Sequence, residues 1–108
     1  MGADMPELIL DPDRRDAKIV VKAEAVDLKA VAPVEKLLDE VASADVHTLE
    51  LDLASVSFAD SSIVRLALKA HDHLAPKGTK VVIKAPPAVR RLFELTQTDR
   101  LFEIVTVS

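Results

Sequence analysis

The chain has 108 residues, 49% of them apolar, and a net charge of −4 from 14 basic and 18 acidic side chains. That length holds one domain with a single small core, and that apolar content argues for a packed fold over disorder. Interspersed charges with three Phe and no Trp or Tyr offer no nucleic-acid platform, and the lack of Cys excludes disulfides and thiolate metal sites.

Residues 1–6 read as a loose end, and Met1-Gly2-Ala3-Asp4 has neither the basic start nor the apolar run of a signal peptide. No stretch approaches the roughly 20 apolar residues of a membrane span, so the expectation is a cytoplasmic protein without membrane insertion. Glu7-Leu8-Ile9-Leu10 predicts a short edge strand near 7–10. Asp11-Pro12-Asp13 turns the chain, because Pro fixes φ and Asp favours turn geometry. The β-rich run from Ala17 to Ala23 predicts a strand near 18–23 that pairs antiparallel with the first. Over 29–44, Val34, Leu37, Leu38 and Val41 recur at helical spacing, with Glu35, Lys36, Asp39 and Glu40 as the solvated face. Pro33 suits a first turn, which sets the regular part of that helix near Ala32.

Polar and apolar residues alternate over 48–53, the period of a half-buried strand. Phe58-Ala59-Asp60-Ser61-Ser62 then leads into a helix over 62–75. Val64, Ala67, Leu68, His71 and Leu74 form its apolar face, with His71 read as a packed structural residue, and Ser62, Arg65, Lys69 and Asp72 lie on its polar side. His47, His71 and His73 do not fall into a metal-ligand spacing. Gly78 supplies a left-handed cap after Pro76-Lys77. A β-branched strand near 80–84, a short helix over 88–95 opened by Pro87, and a strand near 102–106 complete the chain.

The order ββαβαβαβ predicts one α/β domain over 1–108. Its mixed sheet has about five strands, the last four mostly parallel and the first antiparallel at an edge, with helices packed against it. The core is expected to be Val20, Leu37, Leu38, Leu51, Leu53, Phe58, Leu68, Val82, Ile83, Leu92, Phe93 and Ile104. Asp60-Ser61-Ser62 admits two readings. Short side-chain oxygens cap the orphan N–H groups of a helix start, and capping explains the triplet by itself. Alternatively, a hydroxyl at the positive end of a helix is a place where an added phosphate is read by a partner. No P-loop is present, the only glycines are Gly2 and Gly78, and no nucleophile–base–acid set can be assembled, so catalysis is not expected.

The string from Leu49 to Ser62 resembles the STAS domain of anti-sigma factor antagonists, in which a strand ending in aspartate leads through a hydrophobic pair to Asp-Ser-Ser-Gly. Pro86-Pro87-Ala88-Val89-Arg90-Arg91-Leu92-Phe93-Glu94-Leu95 resembles the family's late helix, and the stretch from Thr96 to Ile104 its terminal threonine–loop–strand. Asp27 matches the aspartate that closes the family's second strand. The resemblance implies a STAS fold and a bacterial regulatory binding module with no cofactor, metal or catalytic residue. It implies phosphorylation at Ser61, and a partner surface of Asp27, Asp60, Ser61, Ser62, Ile63 and Arg65. The implied partner is an anti-sigma factor or related serine kinase, with a phosphatase resetting the switch. Two residues beside Ser61 depart from the pattern, as do Glu24, Ala25 and Val26 ahead of Asp27, where the family often has Gly-Glu-Leu. Ile63 stands where the family has glycine, and is expected to put a branched side chain beside Ser61 where a kinase docks. Arg65 replaces a usually small residue, and is either a surface arginine or a partner for a phosphate on Ser61. The departure at Ile63 favours a second reading, a non-enzymatic STAS subunit of a lipid- or solute-transport ATPase complex without a phosphoswitch.

Overall fold

The structure is a computed structural model that describes residues 5–107, so the expectations for Met1–Asp4 lie outside the described residues. In chain order it comprises β1 (Glu7–Asp11), β2 (Asp16–Val20), β3 (Ala25–Val26), α1 (Leu28–Ala44), β4 (Thr48–Asp52) and β5 (Phe58–Ala59). These are followed by α2 (Ser61–Leu74), β6 (Lys80–Ala85), α3 (Pro87–Leu95) and β7 (Glu103–Thr106). Five strands form one sheet in the order β1-β2-β4-β6-β7. β1 is antiparallel to β2 at one edge, and the remaining pairs are parallel. This is the predicted α/β architecture with its predicted strand directions. β3 and β5 form a second, two-stranded parallel sheet that the sequence did not disclose, because two residues are too few to show a period.

The helices cover one face of the large sheet. Ala17, Ile19 and Val21, then Leu49, Leu51 and Leu53, then Val81, Ile83 and Ala85 alternate into that face and are buried. Val31, Val34, Leu38 and Val41 of α1, Leu66, Ala67, Ala70 and Leu74 of α2, and Val89 and Phe93 of α3 close over them. The opposite face is kept soluble by charges in register. Lys18 lies 3.5 Å from both Glu50 and Asp52, and Lys80 pairs with Glu103 at 2.5 Å.

Of the expected core, Leu38, Leu51, Leu53, Ile83 and Phe93 are buried, while Leu37, Leu68, Leu92 and Ile104 are half-buried against it. Three expectations are corrected. Val20 and Val82 are half-buried on the charged face, in register with Asp52 and Glu50. Phe58 is 68% exposed, because it points outward from the small sheet while Val56, two residues earlier, fills the core at 1%. His71 is half-buried with its ring edge-on to Phe102 at 5.8 Å, a packed residue as read from the sequence. Gly78 takes the left-handed conformation, φ 82°, that ends the turn after α2. Pro33 lies in the second turn of α1, not the first, because the cap is at Asp27 and the helix begins five residues before Pro33.

Candidate functional site

The small sheet is what assembles the site. Val26 pairs with Ala59, so the next residue of each strand, Asp27 and Asp60, comes to the same end of the molecule. Each aspartate is extended and caps a helix. Asp27 Oδ1 accepts from the N–H groups of Lys29 at 3.0 Å and Ala30 at 3.1 Å. Asp60 Oδ1 accepts from the Ser62 N–H at 2.8 Å, and the Asp60 N–H donates to the Val26 carbonyl at 3.4 Å. The two caps are thus tied together through the backbone. The Ser62 N–H, and then the Ser62 side chain, hold the Asp60 carboxyl below its usual value of 3.8, so Asp60 is an anion at neutral pH.

Ser61 is the first residue of α2 and is exposed, its backbone fixed by the cap beside it. Ser62 and Ile63 behave differently from expectation. Ser62 is 8% exposed and Ile63 1% exposed, so neither presents its side chain to a partner surface. The branched side chain of Ile63 points into the core, not toward a protein approaching Ser61. The α2 periodicity predicted from Val64 onward gave no sign that the burial stripe already begins at Ser62.

Arg65 is exposed one turn beyond Ser61. It lines a cleft of about 140 Å³ between α1 and α2 together with Leu28, Ser62 and Leu66. Farther along the same cleft Lys69 is held by an ion pair to Glu35 of α1, and that carboxylate raises the Lys69 pKa above its usual 10.5. Among the described residues Arg65 has no carboxylate within ion-pair distance, so it is the unpaired cation of this cleft. The sequence reading missed two members of this end of the molecule. Leu28 and Phe58 are each 68% exposed, and Ala25, which pairs with Phe58, is exposed beside it. The available signal was that Leu28 and Phe58 each stand within two residues of a capping aspartate, where a helix start or strand end faces solvent.

The opposite end has a larger cleft, about 300 Å³, lined by Leu10, Pro12, Asp16 and the ion pair Arg15–Asp45 at 2.8 Å. That pair fastens the β1–β2 turn to the end of α1 and reads as structural. Among the described residues no group of three or more His, Cys, Asp or Glu could hold a metal ion, and no helix is long and apolar enough to cross a membrane.

Residues 11–106 match the family described as "Mlab, STAS domain". Among solved structures the chain is similar to an anti-sigma factor antagonist from Mycobacterium paratuberculosis, with 22% identity over 94% of this chain and 86% of that one and a TM-score of 0.75. It is similar as well to the unphosphorylated anti-sigma factor antagonist SpoIIAA, with 22% identity, 95% and 88% coverage and a TM-score of 0.72. The phosphorylated form of the Bacillus cell fate determinant SpoIIAA gives 20% identity, 95% and 91% coverage and a TM-score of 0.72. At these identities the likeness is one of fold. No curated protein matches the sequence.

Proposed function

The chain belongs to the STAS domain family, and from that premise we propose that it is a regulatory binding module of the antagonist kind, switched by phosphorylation of Ser61. The carrying observation is the exposed Ser61 at a capped helix start, flanked by Asp60 and Asp27 and by outward-facing Phe58 and Leu28. Aromatic and aliphatic side chains of this kind are what the buried centre of an interface uses, and a charged rim sets orientation. A kinase partner transfers the γ-phosphoryl group of a nucleoside triphosphate to Ser61 Oγ. The hydroxyl proton goes to the kinase's base and the diphosphate leaves. The product carries about −1.5 to −2 extra charge at neutral pH beside two aspartates, which repels an acidic partner surface and releases the complex. One similar structure is described in both unphosphorylated and phosphorylated forms, which supports the analogy. In this reading the chain catalyses nothing itself. Its partner is an anti-sigma factor or related serine kinase in the cytoplasm, reset by a phosphatase.

The second reading is a constitutive STAS subunit of a lipid- or solute-transport ATPase complex. It is favoured by the matching family description, which names Mlab and not an antagonist. Affinity capture from the native host with wild type and Ser61→Asp separates the two, read together with intact mass after incubation with the captured kinase and ATP. Capture of a kinase-like ATPase by wild type alone, with one phosphate added to wild type and none to Ser61→Ala, supports the switch. Equal capture of a transport ATPase by both proteins, with no phosphate gained, supports the constitutive subunit.

A further inference from the structure

We propose that Arg65 is the intramolecular partner of a phosphate on Ser61, so that the phosphorylated form closes an ion pair across the first turn of α2 that the unmodified protein lacks. The inference rests on the reading of Ser61 as the phosphoacceptor.

Geometry supplies the first argument. Ser61 opens α2, Arg65 is four residues on, and both are exposed. Side chains four apart on a helix are neighbours, about 5–6 Å between Cβ atoms, which is within the joint reach of a phosphoserine and a guanidinium. Charge supplies the second. Lys69, next along the same face, is committed to Glu35, whereas Arg65 has no acidic partner among the described residues. The third concerns the backbone. A phosphate at a helix start ordinarily takes the free N–H groups of the first turn. Here the Ser62 N–H is bound to the Asp60 carboxylate at 2.8 Å, and the Ile63 N–H to the Asp60 carbonyl at 3.2 Å. Across the cleft, the Lys29 and Ala30 N–H groups are bound to Asp27.

The charged groups at this end of the molecule are therefore the capping Asp60 and Asp27, and in the cleft between the helices Arg65, Lys69 and Glu35, with Glu35 neutralised by Lys69. Two carboxylates push a phosphate away, the Ser62 and Ile63 N–H groups are already bound to Asp60, and Arg65 is the cation one turn along the same helix. Phosphorylation then changes the partner surface twice. It adds a dianion, and it withdraws the free guanidinium that a partner carboxylate would otherwise meet.

The test uses the full chain with phosphoserine installed at position 61 during translation, so that no kinase is needed. ³¹P NMR follows the second ionisation of the phosphate, ordinarily near pH ~6. In the folded protein it is expected roughly 0.3–0.7 unit lower than in Arg65→Ala, the size of an exposed helical pair. Arg65→Gln, which keeps most of the side-chain stem, is expected to behave like Arg65→Ala. Arg65→Lys is expected to retain part of the shift. Lys69→Ala and Lys29→Ala are expected to leave it intact. Identical titrations of wild type and Arg65→Ala, or a shift carried by Lys29→Ala, overturn the proposal. A chain that no kinase modifies would sink the switch while leaving this titration standing, and a null titration removes Arg65 without touching the switch.

Discussion

The starts of α1 and α2 share a plan and diverge in how it is anchored. Both follow a strand of the small sheet, and both are capped by an aspartate in extended conformation. In α1 the cap takes two N–H groups, and the first turn stays at the surface, with Leu28 and Lys29 exposed and Val31 the first buried residue. In α2 the cap takes one N–H group, but Ser62, Ile63 and Val64 are all buried directly behind Ser61. The α1 start is therefore held mainly by its cap and the α2 start mainly by packing. The difference matters for function. A hydroxyl at the head of a packed turn can change charge while the backbone under it stays put, so a modification at Ser61 would act through electrostatics, not unfolding.

The harshest way to break that contrast is at the third helical residue of each start. Ile63→Ala removes a fully buried branched side chain and is expected to lower stability by about 2–5 kcal/mol, read as a fall in the urea midpoint. Ile63→Gly, which restores the residue usual in the family, is expected to cost about 1 kcal/mol more through helix propensity. It is therefore no gentle route to a more reactive Ser61. Ala30→Gly, at the matching place in α1, is half-buried and is expected to cost only about 1 kcal/mol. Equal losses at Ile63 and Ala30 would mean that packing does not distinguish the two starts.

Ile63 also marks where the sequence stopped being legible. The five strands of the large sheet and the three helices were readable because each repeats a period over at least one full cycle. The phase of two strands was not. In Ile19-Val20-Val21 and Val81-Val82-Ile83 three apolar residues run together and erase the alternation. The flanking lysines carried the answer. Lys18 and Lys22 share a face with Val20, and Lys80 and Lys84 share one with Val82, so those valines belong to the charged side. At the site, Asp27, Asp60 and Ser61 came from the resemblance, and the structure brings them together. The inward turn of Ser62 and Ile63 depends on how α2 is rotated against the sheet, which the first two residues of a helix cannot report by themselves.

A milder pair of changes removes the caps. Asp27→Ala, which frees two N–H groups, is expected to cost about 0.5–2 kcal/mol, and Asp60→Ala less, because one N–H group is freed and Ile63 still anchors the turn. The Asp60 contribution is modulated by pH. The folded-state pKa of Asp60 is lowered by the Ser62 N–H, so the carboxylate's contribution is fully present above its ordinary value of 3.8 and is lost as pH falls through the lower folded value. The gap between wild type and Asp60→Ala in thermal midpoint should therefore be constant from neutral pH down to about pH 5 and close below it. A gap that persists unchanged at pH 2 would show that Asp60 acts by something other than its charge.

The smallest effect on stability is expected at Phe58. Phenylalanines in a chain with only three of them are natural candidates for the core, and Phe93 and Phe102 do pack edge-on at 5.9 Å. Phe58 is instead 68% exposed, two residues before the capping Asp60 and three before Ser61. A large aromatic side chain left in water contributes little to folding, so Phe58→Ala should move the urea midpoint by no more than an exposed substitution does, within about 0.5 kcal/mol. Phe93→Ala, by contrast, should cost about 3–5 kcal/mol. An aromatic residue that stability does not need is well suited to an interface, where one buried aromatic can carry about 2 kcal/mol or more of binding. Phe58→Ala is therefore expected to fold as wild type does and to lose captured partner to the same extent as Ser61→Asp, by removing an apolar anchor where the other adds a charge. A variant that loses stability as Phe93→Ala does would return Phe58 to the core. One that folds and keeps its partner undiminished would move the interface away from the small sheet altogether.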